Sequence, residues 1–178
     1  MKNILKLALI LFLVSAIVAG VLGVVNELTK DRIADIAAEK TATAYAAGLE
    51  ADAYDEVDYS GDDTRITKIS KAGDAGYVVE ATVSGSQGAI DMVIGVDADL
   101  KCTGISIINS SETSGLGAVA SSPSDKGVAF REQFVGVGGD VALTKNGGTI
   151  NALTGATITS TAVTTAVGAA IAAVESLG

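Results

Sequence analysis

Hydrophobic side chains follow three rhythms along this chain. The first is an unbroken run. Leu7 to Val25 is nineteen residues without a charge, interrupted only by Ser15, Gly20 and Gly23. At about 1.5 Å rise per residue, a helix of that length matches the roughly 30 Å hydrocarbon core of a bilayer. The spacing then becomes helical among charges. Leu28, Ile33, Ile36 and Ala37 predict a helix over 26–49 that links the apolar run to whatever follows. Residues 50–63 hold seven acids and no base, with Gly61 as a turn residue, and predict a solvated loop. Their spacing does not fit a calcium-binding EF-hand.

The second rhythm is strand-like. "GYVVEATVSG" (76–85) and "AIDMVIGVD" (89–97) are rich in Val and Ile and are parted by a Gly/Ser turn. "KCTGISIIN" (101–109) predicts a third strand, joined through "DADL" (97–100), and the three predict an antiparallel meander. A long loop follows over 110–125 with the chain's single proline, Pro123. Residues 126–136 predict a short helix with Phe130 and Phe134 one turn apart, and 136–148 are turn-rich. The third rhythm returns to 3.6. From Thr157 to Leu177, a stripe of Val163, Val167, Ile171 and Val174, widened by Ala166 and Ala170, predicts an amphipathic helix packed on the sheet. Thr161, Thr164, Thr165 and Ala172 fall off that stripe. The hydroxyl-rich first half and Glu175 make this helix a poor second membrane span. The fold class is therefore α+β: one N-terminal apolar helix, then an antiparallel-rich sheet packed by helices.

Charge sets the sidedness. Lys2 and Lys6 precede the apolar run, and no acid occurs before Glu27. By the positive-inside rule the short N-terminus stays in the cytoplasm and the rest is exported. A cleaved signal peptide is the rival reading, but its apolar region is usually about 7 to 15 residues, shorter than this run. Either reading exports the domain. The net charge is -9; with Lys2 and Lys6 set aside, ten basic and twenty-one acidic side chains remain, a charge of -11. Such a surface repels nucleic acid and favours solubility.

Residue types narrow the chemistry further. There is no histidine and one cysteine, Cys102. Histidine acid/base catalysis is excluded, and zinc, haem and iron–sulfur sites within this chain are disfavoured. Redox chemistry here requires an organic cofactor. Cys102, set among strand residues, reads as a small buried hydrophobe.

One stretch carries a surplus of hydroxyls. "NALTGATITSTAV" (151–163) holds four threonines and a serine around Gly155, where the last helix begins. Ser and Thr cap helices by accepting from orphan N–H groups, and a single hydroxyl suffices for that. A helix N-terminus behind a glycine turn also suits a phosphate. From these residues alone both readings stand.

"TGATITSTAV" (154–163) resembles the flavinylation motif of the FMN-binding domain family, roughly Asp-x-x-Ser/Thr-Gly-Ala-Thr. "ETSGLGA" (112–118) is similar to that family's Glu-Thr-Pro-Gly-Leu-Gly loop, and "FREQFVG" and "MVIGVDADLKCTGISII" resemble the segments around it. The family includes the G subunit of the Rnf electron-transport complex and the C subunit of the sodium-translocating NADH:quinone reductase. The likeness implies three segments: an anchor (1–25), a helical linker with an acidic loop (26–75), and an FMN-binding domain (76–178). It implies an FMN held by a phosphoester to Thr157 and attached by a separate flavin transferase with FAD as donor. Thr154, Gly155, Ala156, Thr159 and Ser160 accompany the acceptor in the motif. Glu112, Thr113, Gly115, Leu116 and Gly117 form the loop at the flavin, contacting the ring or holding the loop in place. Three positions depart from the pattern: Asn151 stands for Asp, Ser114 for proline, and Ser110 for a frequent histidine.

The resemblance further implies a relay subunit of a membrane complex that couples ferredoxin:NAD+ oxidoreduction to Na+ or H+ translocation. Other subunits are the partners, residues 7–25 are the membrane contact, and the flavin domain lies outside. Chain length favours the Rnf subunit over the quinone reductase subunit. A pilin-like structural protein is the reading from another class. It fits an apolar helix leading into a β-rich domain, but the glutamate expected after the processing glycine is missing around Gly20.

Overall fold

A computed structural model describes residues 2–177. Helix α1 runs from Lys2 to Gly48 without a break. The predicted anchor and linker helix are thus continuous, because nothing between Val25 and Asn26 stops an α-helix. Residues up to Lys40 form one compact unit, and the chain from Thr41 forms a second.

In the second unit the end of α1 leads to five strands: β1 (Asp55–Val57), β2 (Ile66–Lys71), β3 (Gly76–Ser84), β4 (Ala89–Asp97) and β5 (Cys102–Ser110). They form one antiparallel sheet in sequence order, a meander. The predicted strands β3, β4 and β5 are present. β1 and β2 lie where a helical linker and acidic loop were expected. β2 escaped the alternation test because its two isoleucines, Ile66 and Ile69, are three apart. The register shifts between Ile66 and Lys68, and this irregularity lets both turn inward. β1 is a short, exposed edge strand within the acidic stretch.

Strand alternation divides the core in two. Val79, Ala81 and Val83 of β3 and Ile90, Met92, Ile94 and Val96 of β4 face the larger cluster with α2 (Asp125–Glu132) and α3 (Thr157–Glu175). Val78 and Val93 face the other side, against Ala44 and Tyr45 near the end of α1. There Tyr45 donates to Glu80 at 2.6 Å. Backbone meets backbone at the same place. A Cβ on Gly95 would collide with the Gly48 carbonyl, and one on Gly104 would lie 2.5 Å from that of Ala47. Thr103 Oγ1 donates to the Gly48 carbonyl at 2.5 Å, satisfying an end-of-helix acceptor.

α3 buries the predicted stripe: Val163, Val167, Ile171 and Val174 are each at most 4% exposed. Two-thirds of its most apolar window (67%) is buried, so it is a core helix although it is long and apolar enough to span a bilayer. Thr164, expected off the stripe, is also buried; its hydroxyl donates to the Ser160 carbonyl at 2.7 Å and so needs no water. α2 starts at an N-cap, Ser124, which accepts from Gly127 N–H. It ends two residues before Phe134, earlier than expected, yet Phe130 and Phe134 still meet edge to face at 5.4 Å in the core. Cys102 is buried, and burial pushes its thiol up to about 12.

Candidate functional site

Three segments converge at one corner of the second unit: the loop after β5, the turn 151–156, and the first turn of α3. All eleven residues singled out in the two motifs lie there. The turn is held from both sides. Gln133, just past α2, accepts from Asn151 N–H at 2.8 Å and from Asn151 Nδ2 at 3.2 Å, and its own Nε2 reaches the Asn151 carbonyl at 3.3 Å. Asn at this position supplies a donor that Asp lacks. Gly155 then turns at φ +75°, a left-handed conformation that glycine adopts without strain, with Leu116 3.1 Å from where a Cβ would sit.

The hydroxyls do not cap the helix. The N-cap position is Ala156, without a side-chain cap. Each remaining hydroxyl but two has another partner. Ser160 Oγ accepts from Leu153 N–H at 2.9 Å and donates to the Ala156 carbonyl at 2.8 Å, bracing the turn from beneath. Thr161 and Thr165 bond back to the carbonyls of Thr157 and Thr161, both at 2.8 Å. Thr159 is buried and donates to Glu112 Oε2. Thr154 and Thr157 are exposed, and neither hydroxyl has a partner among the described residues. Of these two, Thr157 alone belongs to the uncapped helix end, where orphan N–H groups and the dipole favour an anion.

The loop is built around Glu112. Its carboxylate is buried and also accepts from Gln87 N–H at 2.9 Å, in the β3–β4 turn. Burial pushes this carboxyl up, but hydrogen bonds from Thr159, Gln87 and Ser86 outweigh it and hold the group below its usual value. Thr113 turns the loop by offering its carbonyl to the N–H groups of Leu116 and Ala118, both at 3.1 Å. Gly115 has φ +76°. Gly117 is a matter of room: a Cβ there would run into Glu112 Oε2.

Two cavities flank Leu116. The smaller, about 80 Å³, is lined by Glu112, Gly117, Thr157 and Thr159. The larger, about 550 Å³, opens between the loop, the 151–154 turn and α2, with Phe130, Gln133 and Lys126 on the α2 wall. Its size lies within the roughly 300–1,000 Å³ usual for small-molecule sites. Sequence reasoning missed this wall and the 86–87 turn. Lys126, Phe130 and Gln133 do stand four and three apart, one face of a helix, which was a usable signal. Ser86 and Gln87 gave none.

Comparison with known proteins agrees in extent. Residues 85–172 match the FMN-binding domain, and residues 1–47 match the RnfG N-terminal region. The chain is 34% identical to the G subunit of the ion-translocating oxidoreductase complex of Methanosarcina acetivorans, covering 96% of this chain and 94% of the relative. It is 34% identical to the G subunit of the Na+-translocating ferredoxin:NAD+ oxidoreductase complex of Acetobacterium woodii, covering 99% and 94%. The proton-translocating counterpart of Clostridium ljungdahlii is 44% identical over 53% of this chain and 51% of its own.

Proposed function

Since the chain belongs to the G subunits of ion-translocating oxidoreductase complexes and carries their FMN-binding domain, we propose that it relays electrons in an Rnf-type complex through an FMN esterified to Thr157. The observation that carries this reading is the exposed, uncommitted Thr157 hydroxyl at an uncapped helix N-terminus, lining a small cavity that shares Leu116 with a cleft of ligand size.

The residues fit the group. The open end of α3 suits the phosphate. Phe130, Leu116 and Ala129 give the cleft an apolar lining for a planar ring, and Lys126, Gln133 and Asn151 offer polar contacts at its edge. Bound there, the flavin supplies reversible electron storage that no side chain of this chain provides. Attachment exchanges the Thr157 O–H bond for an O–P bond to the flavin-side phosphorus of FAD; AMP leaves and one proton is released. The chain is the acceptor in that step, and a separate flavin transferase is its partner.

Residues 7–25 form the single membrane span of this reading, with the N-terminus cytoplasmic and the flavin domain outside. A tether prevents loss of the flavin on that side. Among the named relatives one carries sodium and another proton in its name.

The test is in-gel flavin fluorescence after denaturing electrophoresis, from cells co-expressing a flavin transferase. The wild-type band is expected to fluoresce, Thr157→Ser to fluoresce, and Thr157→Val to be dark. A dark wild-type band, with the transferase active on another acceptor, sinks the assignment.

A further inference from the structure

Glu112 is a buried carboxylate without a cation. The ion pairs among the described residues lie elsewhere, at Lys30–Glu27, Arg65–Asp63 and Lys68–Glu56. Neutral donors alone hold it. They come from two elements distant in sequence: Thr159 in the first turn of α3 and Gln87 in the β3–β4 turn. Glu112 itself belongs to a third, the loop after β5. One side chain therefore ties together three of the segments that border the small cavity at Thr157, the fourth being the 155–156 end of the preceding turn.

The surrounding residues are cut to fit it. Cβ atoms at Gly85 and at Gly117 would both strike the Glu112 carboxylate, one at each oxygen. Gly117 needs no special backbone angle, since its φ is not positive, so space for the carboxylate is the reason for a glycine there. Thr159 stands two residues from Thr157 in the same helical turn. Fixing its side chain fixes the rotation of that turn, and with it the direction in which the Thr157 Cα–Cβ bond leaves the helix. On the other side, the loop that Glu112 starts carries Leu116 against Gly155.

We propose that Glu112, acting through Thr159, is the positioning residue that presents the Thr157 hydroxyl for flavin attachment. It touches neither the acceptor oxygen nor the donor. It occupies the competing hydroxyl of Thr159 and locks the turn so that the exposed hydroxyl is the one a transferase meets. This inference rests on Thr157 being the acceptor.

The experiment measures the initial rate of flavin incorporation into the full-length, detergent-solubilised chain by a flavin transferase with FAD. Peptide mapping by mass spectrometry identifies the modified residue, and circular dichroism melting follows the fold. The variants are Glu112→Gln, Thr159→Val and Thr159→Ser. Thr159→Val is near-isosteric and removes only the donor, so it decides the matter even where a Glu112 variant is unstable. The expected result is at least a tenfold loss in kcat/KM for Thr159→Val and a smaller loss for Glu112→Gln, with melting still well above the assay temperature. Thr159→Ser restores the rate, a rescue that general destabilisation does not produce. A loaded wild type together with Thr159→Val loaded at the same rate overturns this proposal alone. A wild type that takes no flavin on Thr157 overturns the acceptor assignment and this proposal with it.

Discussion

Individual residues decide how this corner behaves in acid. Glu112 has a folded value below the ordinary carboxyl value of 4.5, so its contribution to stability is complete above that range. The contribution is lost as pH falls through the lower folded value, because protonation then favours the unfolded chain. Melting temperature followed from pH 6 downward is expected to fall, and Glu112→Gln is expected to flatten the part of that fall due to this residue. Cys102 offers a second residue-scale check. Its thiol is buried and its value is pushed up to about 12, so at pH 8 it is almost wholly protonated and shielded. A maleimide or Ellman's reagent is expected to label it only after denaturation. Rapid labelling of the native chain would contradict the burial described for β5.

At the scale of elements, the second unit depends on two contacts across its sheet. On one side Phe134 is fully buried beside Phe130, and Phe134→Ala is expected to cost about 3–5 kcal/mol, read from denaturant unfolding. On the other side the last turn of α1 lies directly on β4 and β5. Gly95→Ala places a methyl into the Gly48 carbonyl, a backbone group that has no rotamer to yield. Overpacking of this kind costs about 1–3 kcal/mol. A Gly95→Ala chain as stable as wild type would show that the turn moves away freely.

For the whole molecule the testable quantity is membrane attachment. The window of α1 that is apolar enough to cross a bilayer has none of its residues buried by protein, and Leu7, Leu11, Phe12 and Leu22 are among its exposed side chains. A retained anchor predicts that the chain stays with the membranes through an alkaline carbonate wash. It also predicts an intact N-terminus and release on deletion of residues 1–25. Cleavage after the apolar run, seen by N-terminal sequencing, would support the signal-peptide reading instead.

Much of this protein follows from local pattern. The apolar run was legible because its nineteen residues carry no charge, and the β3–β5 meander and the α3 stripe because each buries a face at the period of its own element. The two motifs named most of the residues that meet around Thr157, though as separate strings with no stated geometry, and they left out Ser86 and Gln87 of the β3–β4 turn. Tertiary structure decided the rest. β2 is a strand because pairing with β3 accommodates an irregular register that its own sequence disguises. Thr164 is buried because a backbone carbonyl satisfies its hydroxyl. The hydroxyl-rich stretch left capping and anion binding open, and only packing separated its members. Ser160 braces the turn, Thr159 is claimed by a glutamate 47 positions away, and Thr157 is left exposed. No spacing rule reports such a contact, because Glu112 and Thr159 belong to different elements and are brought together by the sheet and helix that carry them.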